Sequence, residues 1–249
     1  MSRLKSIHLL TILALVLSSV ALWGFSAQVR AQRQAPSPIA LEFPPPPAGS
    51  RSGPRSTVGG GVRGDNDASC RAEDTMPLTA LMPTRDNMAT TVAGNPTFFI
   101  YVPENSAEGG EFAIVSEEGE EIYFNEFEVS DTSGIVKVSL PETTNLKVGE
   151  TYLWQFALVC DRSDRQADEL VQGEIERKAL SEELQTQLES ATPLEQAEMY
   201  AQERIWNETV TILAQLRPEY PEQWEELLTS VGLGEFSDPP FAECCTVEN

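Results

Sequence analysis

Imidazole occurs once in this chain of 249 residues, at His8, inside a segment with the form of a secretory leader. Arg3 and Lys5 make a short basic start, Ile7 to Phe25 is a nearly unbroken apolar run, and Val29 with Ala31 supplies the small-residue pattern that a signal peptidase accepts before Gln32. Cleavage there removes the only histidine, and with it the base that serine and cysteine hydrolases use near neutral pH. The sequence also lacks G-x-S-x-G and a phosphate-cradling glycine loop, and Gly59 to Gly64 follows a tether and not the strand that a dinucleotide fingerprint requires. Paired carboxylates can hydrolyse glycosides without histidine. Among 39 Asp and Glu residues, however, no two are singled out by spacing. The expectation is a chain with no catalytic residue and no cofactor.

Two acidic groups invite a metal reading. Asp161, Asp164, Asp168 and Glu169 could gather oxygens around calcium, which takes about six to eight of them. They lack the D-x-D-x-D-G spacing of a calcium loop, and Arg162 and Arg165 stand among them to neutralise their charge. Glu117, Glu118, Glu120 and Glu121 surround Gly119 and read as a hairpin turn in solvent. Both are expected to be solvated loops, with no metal ligands assigned. Asn207, Glu208 and Thr209 match the N-glycosylation pattern but fall within an expected helix and are set aside.

The cysteines are Cys70, Cys160, Cys244 and Cys245, which permit three pairings, and export makes disulfides the default. Zinc is disfavoured, because a mature chain without histidine or C-x-x-C lacks the usual ligand set. Adjacent Cys244 and Cys245 can join each other only in a strained ring, so they bridge to another chain or stay reduced. The expected bridge is Cys70 to Cys160, with alpha carbons roughly 4.4 to 6.8 Å apart.

The formal charge of -22 becomes -25 once the leader takes away Arg3, Lys5 and Arg30 and no acid. Such a surface repels nucleic acid and anionic lipid and favours solubility, cationic partners or divalent ions. The alternative reading of the leader is an uncleaved anchor, since its apolar run approaches the roughly 18 to 20 residues that cross a bilayer. Either way the body lies outside the cytoplasm, periplasmic or secreted, and the mature chain does not insert in a membrane.

Residues 32–66 hold Pro36, Pro38, Pro44 to Pro47, Pro54 and Gly59 to Gly61, and read as a disordered tether. At about 3.1 Å per residue it could extend up to roughly 100 Å. Residues 67–178 read as the short strands of a sandwich: Leu78 to Met82, Thr97 to Val102, Glu111 to Ser116, Glu121 to Val129, Gly134 to Leu140, Thr151 to Cys160 and Glu169 to Arg177. Tyr152, Trp154, Phe156, Leu158 and Cys160 share one face of a central strand, and Val136, Val138 and Leu140 one face of another. Within Glu121 to Val129 the apolar set switches from Ile122 and Phe124 to Phe127 and Val129, which predicts a bulge near Asn125.

Residues 179–236 change to helical period. Ser181 caps a helix carrying Leu180, Leu184 and Leu188 at spacing four. Thr192, Pro193 and Glu195 form a capping box with proline at the first helical position. Pro193 to Glu203 and Ile205 to Leu216 form a pair stopped by Pro218, and a last helix runs from Pro221 to Val231 before Gly232. Tyr200, Ile205, Trp206, Leu213 and Trp224 could line a peptide groove, but such a stripe is expected to pack helices together. Residues 237–249 remain as a tail.

PLTALMP (77 to 83), NPTFFIYVP (95 to 103), GIVKVSLP (134 to 141), VGETYLWQFALVCDRSDRQAD (148 to 168), ATPLEQAEMYAQERIW (191 to 206) and WEELLTSVGLGE (224 to 235) occur in this order. With these segments the chain resembles the cyanobacterial family catalogued as domain of unknown function 928. The resemblance covers most of Cys70 to Glu235, and Cys70 and Cys160 fall where members of that family tend to carry cysteines. It implies an exported protein with a proline-rich leader region and a bacterial host, and it supplies no activity, cofactor or catalytic residue.

The expected architecture is therefore mainly β with α: an immunoglobulin-like β-sandwich followed by a small tetratricopeptide-like helical hairpin. The expected function is a non-catalytic cell-envelope protein that binds another exported protein or a surface polymer. The alternatives are a carboxylate-dependent hydrolase of wall or matrix polysaccharide and a calcium-dependent adhesion module.

Overall fold

Strand β7 (Thr151–Val159) organises the larger sheet, because Tyr152, Trp154, Phe156 and Leu158 alternate onto one face and are all buried. A computed structural model describes residues 41–53 and 70–242, and all that follows concerns those residues. The other strands are β1 (Thr79–Ala80), β2 (Met88–Thr91), β3 (Thr97–Val102), β4 (Gly109–Ser116), β5 (Glu121–Phe127), β6 (Gly134–Ser139) and β8 (Glu169–Arg177). They form a five-stranded sheet in the order β2-β8-β7-β4-β5 and a three-stranded sheet in the order β1-β3-β6. The sheets meet through aromatic rings: Phe98 of β3 lies 5.0 Å from Phe112 of β4 and 5.1 Å from Trp154 of β7. Burying such rings contributes roughly 1.5–3 kcal/mol each by area. Gly173 of β8 leaves the room this packing needs, since a Cβ there would stand 2.4 Å from the Met82 sulfur.

Three local expectations change. The bulge in β5 falls at Ile122, not near Asn125: Ile114 pairs with Tyr123 while Val115 pairs with Glu121. Beyond it the inward phase is Tyr123, Asn125 and Phe127, and Phe124 is turned out at 45% exposure. Strand β2 has no counterpart in the sequence reading. It is four residues long, and its parallel partner β8 lies more than 80 residues further on, so no local period marks it. Third, the tether is seated on the body from residue 41 to residue 53. Leu41 and Phe43 are 2% and 5% exposed, and their backbone N–H groups donate to Glu226 and Ser230. Phe43 packs edge-on to Trp206 at 5.1 Å and lies under the Arg204 guanidinium. Two apolar residues before Pro44 suffice to dock a segment whose composition alone reads as solvated.

The helices are α1 (Glu182–Leu188), α2 (Pro193–Gln202), α3 (Trp206–Leu216) and α4 (Pro221–Ser230). Ser181 caps α1, and the Thr192–Glu195 capping box starts α2, both as the sequence predicts. Trp206, Leu213 and Trp224 join the strands in one continuous core, with Trp206 donating its indole N–H to the Leu81 carbonyl at 3.0 Å. Ile205 belongs instead to a small cluster with Leu184 and Leu188. The chain after α4 returns to β6, where Ile135 donates to Pro240 and accepts from Ala242. None of the described helices is long and apolar enough to cross a membrane. The leader and the Cys244–Cys245 pair lie outside the described residues.

Candidate functional site

The expected disulfide is present: Cys70 and Cys160 are bonded, with their alpha carbons 5.2 Å apart. It ties the segment before β1 to the end of β7 and to the acidic loop that follows. In that loop each carboxylate is engaged by the protein. Asp161 accepts from the Ser163 N–H at 2.7 Å and its hydroxyl at 2.6 Å, which hold its carboxyl below the ordinary value. Asp164 accepts from Gln166 N–H, Asp168 from Cys160 N–H and from Arg165, and Glu169 from Arg71. Arg165 also clamps Glu111 with two hydrogen bonds of 2.9 and 2.7 Å. Among the described residues, no three Asp, Glu, His or Cys side chains converge as a metal set. The second acidic group is the β4–β5 turn, with Gly119 at positive φ and the Ser116 hydroxyl accepting from Glu118 and Glu120 N–H.

A different place has the form of a binding site. Between the β2–β3 connection and helices α2 and α3 lies a cleft of about 270 Å³. One wall is Asn95, Pro96 and Thr97, where the chain turns into β3. The opposite wall comes from α2, whose Gln196 and Tyr200 share a face at spacing four. The floor is the first turn and a half of α3: Asn207 and Glu208, with Thr211 and Ile212 one turn further along.

Helix α3 starts where it does because Thr90 and Thr91 of β2 hold its entry. The Thr90 hydroxyl donates to the Arg204 carbonyl, with Arg204 itself at positive φ. Glu208, in the first turn, fastens the helix to the strand end: its Oε1 accepts from the Thr91 hydroxyl at 2.7 Å, from Val92 N–H at 3.1 Å and from Ala93 N–H at 3.0 Å. Its Oε2 is buried and accepts from no protein group. Asn207 is only 4% exposed; its amide N–H donates to the Thr97 carbonyl at 2.9 Å, and its Oδ1 likewise has no protein donor. Two neighbouring side chains of the cleft lining thus each keep one acceptor oxygen that is buried and has no protein donor. Asp86, Tyr123, Trp154 and Glu174, outside the cleft, also keep one buried polar atom each without a protein partner.

The electrostatics follow from burial. It pushes the Glu208 carboxyl above its ordinary value, against the three hydrogen bonds that favour the carboxylate. Burial, and then the charge on Glu208, push the Tyr200 phenol upward. Glu208 carries the single carboxyl group among the lining residues.

The sequence reading placed Tyr200 with the core stripe, whereas it forms a wall of the cleft. It placed Asn207 and Glu208 only in a glycosylation pattern, and a buried Asn207 whose amide is already engaged is poorly placed to accept a glycan. The one signal for the site was polar residues standing beside the apolar stripe of Trp206, Val210 and Leu213.

No curated protein and no solved structure matches the chain. The model for the family Domain of Unknown Function (DUF928) matches residues 58–241, a span that includes both cysteines of the bridge and every residue of the cleft, and the chain belongs to that family.

Proposed function

We propose that this is a non-catalytic, exported cell-envelope protein that uses the cleft to bind another envelope protein or a surface polymer. The observation that carries the reading is the cleft itself, a concave surface on which Tyr200 and Pro96 stand beside the polar side chains of Asn95, Gln196 and Thr211. The leader motivates export, and the Cys70–Cys160 bridge accords with an oxidising compartment. The finer reading of the fold belongs to the same proposal. Two sheets joined through a shared aromatic core support an immunoglobulin-like sandwich, and α2 and α3, joined by three residues, support a tetratricopeptide-like pair.

One observation favours a second reading. A carboxyl raised by burial in a cleft is the form a general acid takes, and Glu208 has it. Glycoside hydrolysis of the usual kind needs a second carboxylate facing the first. The cleft lining offers none, which supports binding over turnover.

The test is a pull-down with the mature chain from envelope extracts over a range of salt and calcium concentrations. A partner protein or polymer retained above background is the expected result. Retention of nothing at any condition overturns the proposal, as does turnover of an envelope polymer that is abolished by Glu208→Gln.

A further inference from the structure

We propose that the free edge of β5 takes an added β-strand from a partner protein, an extended segment whose outer face carries a basic, an apolar and a second basic side chain in turn. This surface is separate from the cleft, and the inference does not rest on the binding reading above.

A sheet edge presents backbone N–H and C=O groups with which a further strand can pair. Three of the four edges here are closed or short. β2 is met by the entry of α3, where the Thr90 hydroxyl accepts from Trp206 N–H. β6 is met by the chain after α4, through Ile135 and the segment Pro240 to Ala242. β1 is two residues long. β5 is seven residues long, and its one strand neighbour among the described residues is β4. It contains no proline or lysine of the kind that blunts an exposed edge. Its bulge lies near the start, which leaves Tyr123 to Phe127 in regular register with β4.

The side chains select the partner. Glu121, Phe124 and Glu126 pair with Val115, Ala113 and Glu111 of β4, which alternate with the buried Phe112 and Ile114 and so face outward. The outer face of the edge therefore runs acid, aromatic, acid. Phe124, at 45%, is the one exposed large apolar side chain on the described strands. The hairpin of residues 109–129 holds seven glutamates and neither lysine nor arginine. Glu126 meets Arg162 at 3.4 Å, but both side chains are more than half exposed, and such a pair is worth little in water and open to exchange. A second copy is the wrong occupant: two such edges side by side bring glutamates together, and like charges across a strand pair are destabilising. A basic strand instead sets its cations against Glu121 and Glu126 and lays its apolar residue on Phe124.

The test is titration of the full mature chain, followed by amide shifts, with the acetylated and amidated peptide Thr-Lys-Thr-Val-Thr-Lys-Thr. The expected result is saturable binding with shifts in Glu121 to Phe127. Binding should weaken at least about tenfold when the central valine of the peptide becomes proline, or when both lysines become glutamate. Phe124→Ala should weaken it about fivefold without changing the melting temperature, and Thr211→Trp in the cleft should leave it as it was. No binding, equal binding of the proline peptide, or shifts confined to residues outside β5 would each overturn the proposal. A dimer in sedimentation that Phe124→Ala dissolves would also overturn it and give the edge to a second copy. High salt weakens the charged contact, so an envelope pull-down at high salt reports on the cleft separately.

Discussion

The acidic loop of Asp161 to Glu169 and the floor of the α3 cleft contain the same kind of side chain and put it to opposite use. In the loop, four carboxylates lie within nine residues, and each is engaged by Ser, Gln, Arg or backbone N–H groups supplied by the protein. In the cleft a single carboxylate and one amide keep an oxygen apiece without a protein donor. Density of charge therefore does not mark the site. The concave surface does, since Asp86, Tyr123, Trp154 and Glu174 also keep a buried polar atom without a protein partner and none of them lines the cleft.

The largest effects should come from the ties that hold these two regions in place. The bridge closes a loop with a sequence separation of 90 residues, and reducing it, or replacing both cysteines by alanine, should cost roughly 4–5 kcal/mol by loop entropy. Urea unfolding with and without reductant measures it. A loss much below about 2 kcal/mol would mean that the acidic loop is held by its hydrogen bonds alone. Next, Phe43→Ala empties a buried ring site against Trp206 and Arg204 at the base of α3. About 3 kcal/mol should be lost in thermal melts. An unchanged melting temperature would show that residues 41–53 do not dock in solution.

A smaller effect separates the cleft from the loop directly. Burial raises the Glu208 carboxyl, so between the ordinary glutamate value and the raised one the folded chain holds a proton that the unfolded chain has released. The contribution of Glu208 to stability is complete below that window and is lost as pH rises through it. Glu208→Gln should remove this loss and raise stability at pH 7, while flattening the melting profile above the ordinary glutamate range. Destabilisation at pH 7 would instead mean that the carboxylate is charged and anchored by Thr91, Val92 and Ala93. The smallest effect belongs to the loop: the double substitution Asp161→Asn and Asp164→Asn, or the addition of calcium, should leave the melting temperature where it was. A rise with calcium that the double substitution abolishes would favour the calcium-dependent adhesion module.

Much of the fold is legible in the sequence where one local period or cap decides it. The inward face of β7, the faces of β6 around Val136 and Val138, the Thr192–Glu195 box and the proline-started α4 are all set within a few residues. What is not legible depends on distant partners. β2 exists because β8 lies beside it, the bulge at Ile122 is set by its opposition to Ile114 and Val115, and Leu41 and Phe43 are buried because α3 and α4 offer them a seat. The cleft is hidden for the same reason. Asn207 and Glu208 look like ordinary polar residues of a helix until Thr91, Val92, Ala93 and Thr97 are brought against them, and only then does the shortfall in donors become visible.

The most direct comparison takes the unmodified chain, Thr211→Trp, which fills the cleft from α3, and the Asp161→Asn, Asp164→Asn double variant through one pull-down from envelope extracts. Binding by the unmodified chain and the loop variant, with loss in Thr211→Trp, is the expected pattern. Loss in the loop variant with retention in Thr211→Trp, or no binding by any of the three, would contradict it.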